Sequence, residues 1–393
     1  MKKLGGILLF LATFLMCIPA SGSAMTVDEF ASLYDQLEKI DIGGALRVQY
    51  NYKDWDDAQD EKVGDFAFDT FRFNLDGEIG EMILSAEYRF YPEYDFDCLH
   101  HGWIGYNFNE NWQGQVGVHQ VPFGIQPFAS HNFWFSGAYY AGFEDDYDMG
   151  LKALYNNGPW DLAVAFYKNA EFGDPADAGR YSIDILNEDV GGLNNGANEE
   201  TNQGNVRLAY TFTHNDENST EFGISGQYGQ LYNDTTEDNG DTWAGAVHMV
   251  GNYGNFNVQL EGMQYEYDPE NPAGSNDDII YVGAYSFKWA IPTEAMIGIA
   301  NVAYTVPVDI GPIDSFTFYS DNTIIEPDES DWDESWLNVL GCMIASGPVY
   351  TYVDLISGEN MPFMGGSMVN NLDGWESSSD RNTRLNINIG YYF

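Results

Sequence analysis

The 393-residue chain holds only three cysteines. Cys17 falls in an apolar N-terminal stretch, which leaves Cys98 and Cys342 far apart. Two such cysteines make no disulfide framework and exclude a small disulfide-stapled secreted domain. Basic residues are scarce as well: 15 Lys and Arg stand against 61 Asp and Glu, a formal net charge of −46. That balance repels nucleic acid and other polyanions. Beyond the N-terminal stretch the unbroken apolar runs are only a few residues long, so a membrane crossing would have to use strands. Catalytic signatures are missing too. There is no Gly-x-Ser-x-Gly, no His-Glu-x-x-His and no phosphate-binding loop. Cys98, His100 and His101 look metal-like but have poor ligand spacing. No metal, cofactor or enzymatic activity is expected.

Aromatic residues make up 16% of the chain, and there are 42 glycines. Disorder accounts for acidity but not for those aromatics. Acid, glycine and aromatic together describe strands joined by polar loops. The start is different. "MKK", an apolar run from Leu4 to Ala20 and then "SGSA" form a signal peptide over residues 1–24, with cleavage expected after Ala24. Residues 25–40 follow as a short amphipathic helix. Thr26 and Glu29 have capping-box spacing, and Phe30, Leu33, Tyr34, Leu37 and Ile40 share one face.

Over residues 41–393 the period becomes two. In "ALRVQYNY", Leu46, Val48, Tyr50 and Tyr52 oppose Arg47, Gln49 and Asn51. "FRFNLDGEI" and "MILSAEYRF" alternate the same way, and the sequence ends in "RLNINIGYYF" with Leu385, Ile387, Ile389, Tyr391 and Phe393 in phase and Tyr392 out of phase. About 16 strands result, with "IIYVGAYSFKW" counted as one of them. Short turns at 80–81, 109–111, 156–159, 254–255, 291–294 and 346–348 alternate with long acidic loops at 53–65, 92–98, 121–147, 169–203, 233–241, 268–278, 307–333 and 358–381. A meander with all its short turns at one end gives this order, whereas Greek-key crossings do not. So many meandering strands close into a barrel too wide for side chains to fill. A polar interior then holds water, and the apolar face meets lipid. The fold expected is an all-β, transmembrane antiparallel barrel of about 16 strands with one short N-terminal helix.

Signal peptide, meander and aromatic last strand together resemble a Gram-negative outer-membrane porin. "VGVHQVPFGIQPFASHNF", with Pro122, Phe123 and Gly124, is similar to the passage into loop 3 of the phosphate-selective porin superfamily, and the hairpin "FRFNLDGEIGEMILSAEYRF" is similar as well. The motif likeness covers residues 71–133. It implies the barrel, an outer-membrane location and a homotrimer, with the terminal aromatics Tyr391 and Phe393 resembling the signal read by the barrel assembly machinery. One departure matters: no Lys or Arg occurs between Trp289 and Asp380, so phosphate selectivity is not carried over.

The inward phase places Arg384 on the strand that pairs with the first, beside Arg47, Arg72 and Arg89. That is a basic wall. The third long loop carries Glu144, Asp145, Asp146 and Asp148. Folded into the lumen, those acids would face the arginines across a constriction and make a transverse field. Loop acids such as "DWDDAQDE" and "EPDESDWDES" suit weak, hydrated divalent cations but lack calcium-loop spacing. The function expected is a passive channel for small hydrophilic solutes, cation-preferring because of the acidic mouth. A non-channel surface adhesin or anchor and a soluble secreted β protein are the alternatives.

Overall fold

The computed structural model describes residues 39–174, 176–187, 197–330, 332–369 and 381–393. The expected signal peptide and all but the end of the expected helix lie outside these. Ile40 is not helical. It opens the first strand, where it lies opposite Gly77.

The strands in chain order are β1 (Ile40–Lys53), β2 (Asp65–Ile79), β3 (Met82–Tyr91), β4 (Phe96–Asn107), β5 (Trp112–Gln120), β6 (Tyr147–Asn157), β7 (Trp160–Ala170), β8 (Asp184–Ile185), β9 (Asn198–Asn215), β10 (Asn218–Asn233), β11 (Asn239–Tyr253), β12 (Phe256–Asp268), β13 (Ile279–Ala284), β14 (Phe287–Pro292), β15 (Glu294–Ile310), β16 (Ile313–Pro327), β17 (Ser335–Ser346), β18 (Val349–Glu359) and β19 (Asn382–Tyr392). Sixteen of them form one closed antiparallel barrel, in which β1 pairs with β19. β8, β13 and β14 form a separate three-stranded sheet. Closure satisfies every wall strand on both sides, which removes exposed edges. At the seam Gly44 and Phe393 exchange both backbone hydrogen bonds, at 2.9 and 3.0 Å.

Alternation fixes which way each side chain points. Leu46, Phe73, Ile104, Leu151, Val247 and Leu340 point outward and are 38–63% exposed. Gln49, Asn51, Glu87, Arg89, Asn205, Asn301, Asn386 and Asn388 point inward and are buried. An apolar outside and a polar inside invert the usual soluble arrangement.

Two segments depart from expectation, and the errors cancel in the count. Residues 279–289 are not one wall strand. They belong to β13 and β14, a hairpin whose first strand is buried at all six positions. Buried on both faces, it has no reason to alternate. Residues 307–333, expected as a long loop, instead contain the end of β15 and all of β16, with only 311–312 between them. Ser320 and Asn322 on the outward face of β16 interrupt its apolar pattern, and Asn338 of the paired strand donates to Asn322 at 3.0 Å. The "IPTE" turn at 291–294 likewise joins β14 to β15 rather than two wall strands.

One side of the barrel interior is filled. Val121, Phe123, Tyr140 and Phe143 of loop 121–146, Val282, Trp289 and Ile291 of the small sheet, and Met263, Ile297, Ile325 and Leu337 of the wall form one continuous apolar cluster. The open space lies on the opposite side, along β1, β2, β3 and β19.

Candidate functional site

Loop 121–146 leaves β5 at Val121 and crosses the interior to the far wall. Pro122, Phe123 and Gly124 make its first anchor. Phe123 is buried and its ring centroid lies 5.6 Å from that of Phe143. Gly124 has φ +58°, donates its N–H to Ser225 Oγ at 3.0 Å, and accepts from Arg207 Nε at 2.8 Å. A side chain there would meet the Glu261 carboxylate, so glycine is required by both backbone and space. The middle of the loop is held by two wall aspartates. Asp321 accepts from His131 N at 2.7 Å, Asn132 N at 3.0 Å and Asn132 Nδ2 at 2.8 Å, and pairs with His131 Nδ1 at 2.7 Å. Asp354 accepts from Phe133 N at 3.1 Å. Burial lowers the His131 pKa, but the Asp321 hydrogen bond and charge outweigh it, and the net direction is up.

Phe133 and Trp134 are thereby presented to the arginine side. The Arg47 guanidinium lies 4.9 Å from the Phe133 ring centroid, and that of Arg384 3.7 Å from Trp134. Arg72 and Arg89 are direct partners across β2 and β3. Arg47 stands one strand over, beside Thr70, so these three make one tier. Arg384 sits higher, opposite Lys53. The four arginines do share one wall, on two levels.

Their counter-charges are few. Arg47 pairs with Asp69 at 2.8 Å. Arg72, at 3.6 Å, and Arg89 share Glu87. Arg384 donates to Asn51 Oδ1 at 3.0 and 2.7 Å. Among the described residues it meets no carboxylate within ion-pair distance.

Two cavities run along this wall. One, about 460 Å³, is lined by Arg47, Asp69, Arg72, Arg89, Asp145 and many aromatic rings, among them Tyr91, Tyr181 and Tyr285. The second, about 340 Å³, is lined by Lys53, Lys288, Arg384, Trp55 and Trp289. Tyr94 and Phe363 border both.

The loop acids do not face the arginines as a group. Glu144 turns back into its own loop, where it accepts from Ala129 N at 3.0 Å, Ser130 Oγ at 2.9 Å and Ser136 N at 2.8 Å. Burial pushes its carboxyl up and these hydrogen bonds pull it back. A buried carboxylate needs donors, and the loop backbone supplies them. Asp145 alone reaches the arginine cavity. It accepts from Tyr181 Oη at 2.5 Å, and burial pushes it up to about 7 against the pull of that bond and of Arg89. Asp146 and Asp148 point elsewhere, toward Asp184. The expected acid-against-arginine field is therefore replaced by an aromatic-against-arginine passage.

Several lining residues were not singled out from the sequence. Tyr91 and Lys53 continue the inward phase of β3 and β1, so extending the alternation by one step finds them. Tyr181 and Tyr285 come from connections and carry no periodic signal. Tyr392, the residue out of phase, points inward, and the Arg72 guanidinium lies 4.9 Å from its ring centroid.

No protein-family model matches the sequence, and no curated protein matches it. Solved structures match in fold. The outer membrane channel DcaP of Acinetobacter baumannii aligns with a TM-score of 0.55 at 12% identity, over 90% of this chain and 97% of that one. The shared property is the barrel. An anion-selective porin from Comamonas acidovorans gives 0.56 at 12% identity, over 90% and 99%. OprB of Pseudomonas putida gives 0.54 at 10%, over 95% and 100%. The narrower likeness to phosphate-selective porins rests on residues 71–133 alone.

The cation preference expected from net charge has no support in this geometry. The acidic segment 54–61 lies in the connection after β1, while six basic side chains line the two cavities beside Asp65, Asp69, Glu93 and Asp145.

Proposed function

We propose that this chain is an outer-membrane porin, a water-filled passage for small hydrophilic solutes, and that its constriction favours anionic ones. One observation carries the reading: six of the chain's 15 basic residues line two adjoining cavities, five of them on one wall and Lys288 on the small inner sheet. A fixed row of guanidinium and ammonium groups in a restricted space lowers the barrier for an anion. The facing tyrosines offer hydroxyls and ring faces, which suit a carboxylate or a sugar. The fold neighbours support the reading, since they include outer membrane channels and one anion-selective porin. In this reading the outward apolar side chains meet lipid, a homotrimer is the assembled form, and Tyr391 and Phe393 are read by the assembly machinery.

Conductance in planar bilayers under a KCl gradient tests it. The reversal potential is expected to favour Cl⁻, and Arg384→Ala is expected to reduce that preference at least about twofold. A cation preference indifferent to Arg384 overturns the basic passage. The apolar filling of one side of the interior favours a second reading, a surface anchor that does not conduct. A folded sample silent in the bilayer supports that one.

A further inference from the structure

Asp146 ends the long loop, Asp148 is the second residue of β6, and Asp184 belongs to β8 of the small sheet. One oxygen from each lies within 4.8 Å of the others. Three points no farther apart than 4.8 Å have a common centre at most about 2.8 Å from each, a reach that admits the 2.3–2.6 Å of Ca²⁺–O bonds. Two more carboxylates, Glu171 and Glu200, act on the same group. One cation answers them among the described residues. Arg180 Nη1 lies 3.3 Å from Asp184 and 3.8 Å from Glu171.

Protein donors reach only some of the cluster's oxygens: Gln203 Nε2 donates to Asp148 Oδ2 at 3.4 Å and Arg180 Nη1 to Asp184 Oδ2 at 3.3 Å. Asp148 is 3% exposed and its Oδ1 meets no hydrogen-bond donor. Asp146 Oδ1 and Glu171 Oε2 are also buried and without one. Leaving such an oxygen bare is costly, and one guanidinium among five carboxylates does not balance the charge. An all-oxygen donor set without imidazole or thiolate selects a hard cation.

We propose that Asp146, Asp148 and Asp184 bind one calcium-class divalent cation. The ion ties three elements together: the long loop, the barrel wall at β6, and the small inner sheet through β8. Arg180 holds Asp184 through Nη1 at 3.3 Å. The long loop is then fixed at its middle by Asp321 and Asp354 across the interior and near its return by the cation.

Terbium luminescence on the full chain in detergent, excited through tyrosine and competed with Ca²⁺, tests the site. Tyr147 lies between two of the ligands in sequence. One Ca²⁺-displaceable site per chain is expected, and Asp148→Asn should weaken it at least about tenfold, since affinity follows ligand charge. Asp328→Asn in an exposed connection should leave it unchanged. Ca²⁺ should also raise the thermal unfolding temperature of the wild type and not of Asp148→Asn. If wild type and Asp148→Asn bind alike, the ion is held by surface acids and the proposal fails. If no Ca²⁺-displaceable site appears, the cluster is neutralised by protons and the proposal fails as well. Neither result depends on conductance.

Discussion

His131 shows how one side chain can set the position of a loop. Its two ring nitrogens meet Asp321 of β16 and Asn257 of β12, both at 2.7 Å. Asp321 is the charged group facing it. The folded pKa is raised above the ordinary value of about 6.5, so the imidazolium tether is fully present below that value and is lost as pH rises through the folded pKa. We expect current noise from the passage to rise as pH climbs through the raised His131 pKa, and His131→Gln to flatten that dependence. A pH-independent wild type removes His131 from loop control. At this scale the sequence was informative where phase could be counted. Arg47, Arg72, Arg89 and Arg384 all follow from alternation alone. The fate of Glu144 did not, because whether a loop acid meets solvent, an arginine or its own backbone depends on a path the sequence does not encode locally.

Among the elements, loop 121–146 and the hairpin of β13 and β14 shape the passage by filling the other side of the barrel. Trp289 Nε1 donates to Tyr140 O at 3.0 Å and Tyr139 Oη to Tyr285 Oη at 2.9 Å, which joins the two. Asp321→Asn removes the charged acceptor of three N–H groups and the His131 partner. We expect about 2–3 kcal/mol of lost stability, read by denaturant titration in detergent, together with a larger and noisier conductance. An unchanged conductance would mean that Asp354 and the apolar cluster hold the loop alone. The same elements explain where periodicity failed. A barrel strand alternates because one face is apolar and one polar. β13 has no polar face, and β16 has polar residues on both, so periodicity alone reads the first as wall and the second as loop. One segment added and one omitted leave the total at sixteen.

At the scale of the whole molecule, charge is sorted by place. Acid dominates the connections, and base is concentrated on one interior wall. Salt separates the two. The screening length is about 10 Å at 0.1 M and about 3 Å at 1 M. Raising KCl should mute the acidic mouth before it reaches the buried arginines, so anion preference should grow with salt. A preference that falls instead would place the deciding charges at the rim. Closure adds a last point. Tyr392 lies under Arg72, one strand beyond the seam, and its neighbour Phe393 completes the ladder with Gly44. The residues that zip the cylinder shut also furnish part of the bore. On the proposed channel reading a barrel that has not sealed lacks part of its bore, and leakiness and incomplete assembly are expected as a single defect.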